Sequence, residues 1–147
     1  MKNNTLLLNE IKQNEQLFQI FNTNNHIILA YLFGSVAKGK DGKLSDIDIG
    51  ILLDDSLDKK QKFDLELELI HKISEILKTN KLDLIIMNDV SISLNFEIIK
   101  ANTSLYRKNE IDKIDFEYKL LSKYHDRRYY EKRATEEFLM KVANERF

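Results

Sequence analysis

Apolar positions along this 147-residue chain change period several times, and each change marks an element. Leu7, Ile11, Leu17, Phe18, Ile20 and Phe21 recur at loose helical spacing, and the polar run Asn22-Thr23-Asn24-Asn25 ends that helix. Ile27 to Phe33 is unbroken apolar sequence and predicts a buried strand. From Asp46 to Ile51 polar and apolar residues alternate before Leu52-Leu53, which predicts a second strand with one wet face, closed by Asp54-Asp55-Ser56. Phe63, Leu67, Ile70, Ile73 and Leu77 step by three and four, giving an amphipathic helix from about Leu57 to Leu77 with Ser56 or Asp58 as its cap. Leu82 to Met87 reads as a third strand, and Ser91 or Ser93 opens a helix to about Lys100. Arg107 to Asp112 reads as a charged connection. From Ile114 to Val142 there is no breaker, and Phe116, Leu120, Leu121, Tyr124, Phe138, Leu139 and Val142 form the apolar side of one or two helices. The order α-β-turn-β-α-β-α-α predicts a mixed α/β domain with a helical tail.

Length and composition fit one soluble domain, with 43% apolar and 32% charged residues. The 23 Lys and Arg against 24 Asp and Glu leave a formal charge of −1, so there is no bulk attraction to nucleic acid or to an anionic membrane, and phosphate binding must be local. The absence of Cys excludes disulfides, thiolate catalysis and the usual zinc clusters, while His26, His71 and His125 lack metal-ligand spacing and read as surface or satisfied side chains. The longest apolar run, Ile27–Phe33, is far short of the roughly 20 residues a bilayer needs, and no signal peptide is present, so the expected location is the cytoplasm.

Proline is absent and all four glycines fall between Gly34 and Gly50, which concentrates unusual backbone geometry in one stretch. Asp46 and Asp48 stand two apart on a predicted strand, so both carboxylates leave one face. Like charges about 4 Å apart repel by up to about 4 kcal/mol at an effective dielectric of 20. A divalent cation with hard oxygen ligands, Mg²⁺ or Mn²⁺, removes that repulsion; carboxylates splayed into water from an edge strand are the alternative. Gly34-Ser35 follows directly on the strand ending at Phe33, where a glycine lets the backbone approach a phosphate and Ser35 adds a hydroxyl donor, or where the pair makes a plain turn. The two pieces together, Gly-Ser-x10-Asp-x-Asp, arise by chance in about one such chain in a thousand.

The stretch Leu32-Phe33-Gly34-Ser35-Val36-Ala37-Lys38-Gly39 followed by Leu44-Ser45-Asp46-Ile47-Asp48-Ile49 resembles the DNA polymerase β nucleotidyltransferase superfamily, and especially its minimal nucleotidyltransferases. The resemblance covers about residues 27–101, leaving a helical tail over about 112–147 within one nucleotidyltransferase domain spanning 1–147. It implies a polymerase β-like α/β (α+β) core with a small mixed sheet, plus C-terminal helices. It further implies that Gly34, Ser35 and Lys38 hold a nucleoside triphosphate, ATP, and that Asp46, Asp48 and a third carboxylate hold two Mg²⁺ (or Mn²⁺) ions and form the catalytic set. Asp83 is the choice for the third, because it interrupts the apolar run Leu82–Met87, where a buried charge would need a partner. Asp89 and Glu97 are the weaker candidates. Lys38 departs from the Arg of many members and lacks bidentate phosphate geometry.

Lys40 and Lys43 lie between the two halves of the motif and read as a solvated loop, while Arg127, Arg128, Tyr129 and Tyr130 make a polar-aromatic cluster on the tail. The resemblance implies an antitoxin that transfers AMP from ATP to a tyrosine of a small all-helical partner, a HEPN-fold ribonuclease toxin. The competing readings are nucleotidyl transfer to a small hydroxyl substrate such as an aminoglycoside and a non-catalytic module that masks a partner. Neither membrane nor nucleic acid is an expected partner.

Overall fold

Asn14 divides the N-terminal apolar run into two helices where the spacing predicts one. In the computed structural model, which describes residues 4–38 and 46–145, α1 spans Asn4–Lys12 and α2 spans Glu15–Thr23. The Leu17 N–H donates to the Asn14 side chain at 2.9 Å, capping α2. Strand β1 follows at Ile27–Phe33, the single-turn helix α3 at Gly34–Ala37 and strand β2 at Ile47–Leu53. Of the two predicted caps, Asp58 starts α4 (Lys59–Leu77), in a capping box with Gln61. Strand β3 is Leu82–Ile86, and Ser91 caps α5 (Ile92–Lys100), with the Leu94 N–H donating to its hydroxyl.

The four strands lie in the order β3-β2-β1-β4, with β1 antiparallel to β2 and β4, and β2 parallel to β3. A parallel pair needs a crossover, and α4 supplies it. β4 (Ser104–Arg107) falls between the helix predicted to about Lys100 and the charged connection predicted from Arg107, where the sequence reading assigns no element. Its four residues are too few to display an alternation, and its edge pairing is completed by the Leu32 N–H donating to Thr103 O and the Lys108 N–H donating to Ile28 O.

Alternation sorts side chains to the two faces. Ala30, Leu32, Ile49, Ile51 and Ile86 join Leu17 and Phe21 of α2 and Leu65, Leu69 and Ile73 of α4 in the larger core. On the other face Leu29 and Tyr31 pack with Met87 and with Ile98 of α5. Gly50 matters on this second face, because a Cβ there would stand 3.1 Å from Ile98 Cγ2 and 3.3 Å from Met87 Cγ. The missing side chain seats α5 under the middle of β2.

The tail is one helix, α6, over the 36 residues Glu110–Glu145. Its first half is tied down. The Tyr31 hydroxyl donates to Glu117 Oε1 at 2.8 Å, Lys113 pairs with Glu117 at 3.0 Å, Leu120 is buried, and the rings of Phe96 and Tyr124 stack with centroids 3.8 Å apart. Burial, reinforced by the Glu117 contact, raises the Tyr31 hydroxyl well above the ordinary tyrosine range, so it stays a donor. The apolar side expected to continue through Phe138 and Leu139 does not pack: both are exposed, as is Met140. Helical periodicity reports an amphipathic surface, and here the described residues place nothing beneath its second half.

Replacing Gly50 with Val is expected to destabilise the fold by about 1–3 kcal/mol, since the new side chain must displace Ile98 from a packed face. Denaturant unfolding of the variant checks this, and unchanged stability would mean that α5 is not seated against β2.

Candidate active site

The end of β1 turns sharply into α3 at Gly34, whose φ of +74° lies in the left-handed region that an L side chain resists. Space gives a second reason for glycine. Phe33 is the register partner of Asp48, so the Asp48 carboxylate rises beside residue 34, and a Cβ at Gly34 would overlap Asp48 Oδ2. Ser35 follows in the first turn of α3, half-buried, in a helix end whose first N–H groups have no intrahelical partner. Lys38 caps the far end of α3, its N–H donating to Gly34 O and its side chain exposed. Lys40 and Lys43 lie outside the described residues.

Asp48 and Asp83 are direct register partners on the parallel strands β2 and β3. Partners in register project to the same face, so the sheet sets the two carboxylates side by side. Asp46 stands just before β2, exposed. The sequence placed Asp83 in a buried strand, yet the side chain is exposed: β3 is an edge strand, and within the apolar run Leu82–Met87 only Leu84, Ile86 and Met87 are buried. Burial therefore demands no partner for Asp83, while the register brings it to Asp48. Asp89 instead pairs with Lys62 at 2.8 Å, and Glu97 is an exposed residue of α5.

Partial burial, then the neighbouring charge of Asp83, then that of Asp46, push the Asp48 carboxyl up to about 6 from 3.8. Such a cluster suits a divalent cation. Among the described residues no group of three or more His, Cys, Asp or Glu side chains is so arranged as to hold a metal ion by itself. Mg²⁺ does not call for one, because it keeps several waters and is bound by one or two carboxylates together with substrate phosphates. The donor chemistry, the raised carboxyl and the space left by Gly34 all fit a cation and a phosphate at this edge of the sheet.

The remaining candidates lie elsewhere. His26 contacts Asp54 at 3.2 Å, His71 contacts Glu75, and His125 packs edge-on against Tyr124. Arg127 pairs with Glu131, Arg128 lies over the Tyr124 ring, and Tyr129 and Tyr130 are exposed on α6. Sequence reading overlooked the part Gly50 plays. A glycine in the wet-face register of Asp46 and Asp48 was its signal, and its effect is to hold α5 against the middle of β2, two residues from Asp48.

A carboxyl held above its unfolded value binds its proton more tightly in the folded state, so its contribution to stability is full below pH 3.8 and is lost as pH rises to about 6. In metal-free buffer the wild type should lose stability across that window, and Asp48→Asn should flatten the loss and melt at the same or a higher temperature at neutral pH. Thermal unfolding in a chelator tests this; a large drop in melting temperature for the variant would make Asp48 a structural residue.

Residues 15–111 match the family described as polymerase beta, nucleotidyltransferase. No curated protein sequence matches the chain. Solved structures align with nearly all of it. A chain from a crystal structure of a toxin–antitoxin with AMP-PNP is 25% identical with a TM-score of 0.63, the alignment covering 90% of this chain and 98% of that one. A chain from a mutant MntA–HpeT toxin–antitoxin structure is 23% identical with a TM-score of 0.65 over the same shares, which bears on the fold. The same holds for a chain from the tri-AMPylated Shewanella oneidensis HEPN toxin in complex with MNT antitoxin, 23% identical with a TM-score of 0.56, covering 92% of this chain and 98% of that one. With the family match spanning well over half the sequence, and Gly34, Ser35, Asp46, Asp48 and Asp83 gathered at one end of the sheet, this chain belongs to the polymerase β nucleotidyltransferase family.

Proposed function

We propose that this protein is the modifying half of a toxin–antitoxin pair, a nucleotidyltransferase that moves AMP from ATP to a tyrosine of a HEPN-fold ribonuclease toxin. One observation carries the reading. The chain aligns over 98% of the length of a chain solved in a toxin–antitoxin structure with AMP-PNP, and it keeps Gly34 against Asp48 and Asp48 against Asp83. The AMPylated HEPN toxin in complex with MNT antitoxin, which contains another chain of this fold, supplies the acceptor class.

Gly34 leaves room for a phosphate next to Asp48, with the Ser35 hydroxyl and the Lys38 ammonium as its ligands. Asp46, Asp48 and Asp83 would hold Mg²⁺ or Mn²⁺, two ions by family resemblance, which when bound supply charge neutralisation of the triphosphate. The acceptor hydroxyl attacks the α-phosphorus, the bond to the bridging oxygen of the β-phosphate breaks, pyrophosphate leaves, and the hydroxyl proton passes to a carboxylate. Asp83 suits that last task. Its exposure on the edge strand β3 lets a side chain from another protein reach it, whereas Asp48 is turned inward beside Gly34. Protein acceptors also suit the balanced net charge, which provides no track for nucleic acid. No helix among the described residues is long and apolar enough to cross a membrane.

Incubation with ATP, Mg²⁺ and a purified HEPN-fold toxin should add one or more AMP units to a toxin tyrosine, read by mass spectrometry. Asp48→Asn should lower the rate about a hundredfold or more, in line with removing a group that stabilises transition-state charge. An unmodified toxin beside a modified aminoglycoside would assign the small-substrate reading, and tight toxin binding without transfer to any acceptor would assign the masking module.

A further inference from the structure

A cavity of about 560 Å³ opens between the second face of the sheet, α5 and α6, at the opposite end of β2 from the active-site carboxylates. Asp48 and Leu53 mark the two ends of that strand and stand about 17 Å apart along it. The floor of the cavity is apolar, with Ile28, Leu52, Met87, Phe116 and Leu120, and its volume is that of a small-molecule site.

One buried polar side chain in its wall lacks a partner. Asn95 is 7% exposed, and its Nδ2 donates to Met87 O at 2.9 Å, which fixes which end of the amide is the oxygen. No group among the described residues donates to Asn95 Oδ1. A buried acceptor without a donor is a cost that a wall kept only for stability avoids. Asn95 also sits toward the end of β2, because Met87 leads into Asn88, whose side chain bonds both the N–H and the C=O of Leu53, the residue before Asp54.

Charge around the rim is sorted. The Asp54 N–H donates to His26 O, and the Lys108 N–H, just ahead of α6, donates to Ile28 O, so the end of β2 and the start of α6 meet at the start of β1. Asp54, Asp55 and Asp112 therefore gather at one end of the cavity. Asp112 accepts from Asn109, while hydrogen bonds from Ser56 and then the contact with His26 hold the Asp54 carboxyl below the ordinary carboxylate range. No lysine or arginine pairs with any of the three among the described residues. Farther along α6, Asp115 is neutralised by Lys119 at 3.0 Å, and Lys123 stands about 16 Å past Asp112. Carboxylates and an amide oxygen only accept hydrogen bonds, so the complementary ligand brings donors and positive charge.

We propose that this cavity binds a small organic cation, an ammonium or guanidinium on an apolar body. Its charged head lies among Asp54, Asp55 and Asp112, a donor reaches Asn95 Oδ1, and the body rests on Met87, Phe116 and Leu120. The site uses no residue of the nucleotide-transfer machinery.

Tryptamine serves as the probe, with tryptophol and indole-3-acetate as its neutral and anionic counterparts. In titrations followed by amide NMR, tryptamine is expected to shift Leu53, Met87, Asn95 and Leu120 with an affinity about tenfold or more above that of tryptophol. Indole-3-acetate should leave these signals in place. Asp55→Asn with Asp112→Asn should weaken tryptamine about tenfold and leave tryptophol unchanged, since only the charge of the rim is removed. Asn95→Leu should weaken tryptamine about fivefold by removing the acceptor. If Asn95→Leu fails to fold, for want of the bond to Met87 O, the rim variant still decides. Equal affinity for tryptamine and tryptophol, shifts confined to another surface, or undiminished binding by the rim variant would each overturn the proposal. So would the absence of shifts with both tryptamine and agmatine, a guanidinium probe, which would leave the cavity to water. All of these titrations are run without ATP, so the proposal and the enzymatic reading fail separately.

Discussion

Repulsion between carboxylates organises one end of this molecule. The parallel register of β2 and β3 sets Asp48 opposite Asp83, with Asp46 two residues before Asp48, and partial burial removes part of the water that would otherwise screen them. In a sheet kept only for stability this arrangement is a cost. The raised Asp48 carboxyl is the physical sign of that cost, and the cation and phosphates proposed for this site would offset it. The tight turn at Gly34 serves the same end, since only a residue without a side chain leaves space beside the Asp48 oxygen.

The rest of the fold holds this edge in place without covering it. α4 makes the crossover that permits a parallel β2–β3 pair, and hence the Asp48–Asp83 register. Gly50 draws α5 against the middle of the sheet, and the Tyr31–Glu117–Lys113 chain of contacts fixes the first half of α6 to the central strand. Both helices leave Asp83 exposed, as the proposed transfer to a protein acceptor would require.

Much of this was legible in the sequence because its signals are local. The unbroken run Ile27–Phe33, the alternation after Asp46 and the cap at Asp58 mark the observed elements to within a residue or two, and a glycine pair-motif spaced from Asp-x-Asp marks the site. What escaped depends on tertiary context. β4 is four residues long and exists because β1 has a free edge; Asn14 breaks the first helix by offering its side chain to Leu17; Asp83 lies where it was placed, but for register and not for burial. Phe138 and Leu139 carry the same periodicity as packed residues, and periodicity alone does not say whether the covering surface belongs to the same chain.

Whether Asp48 belongs to a carboxylate cluster shaped for a cation can be read by following its side-chain carboxyl carbon by NMR through a pH titration, without and with Mg²⁺. Without metal the carboxyl should titrate near the value of about 6 that its surroundings impose, and Mg²⁺ should pull it down toward or below the ordinary 3.8. A metal-free carboxyl that titrates in the ordinary range and does not respond to Mg²⁺ would contradict the account.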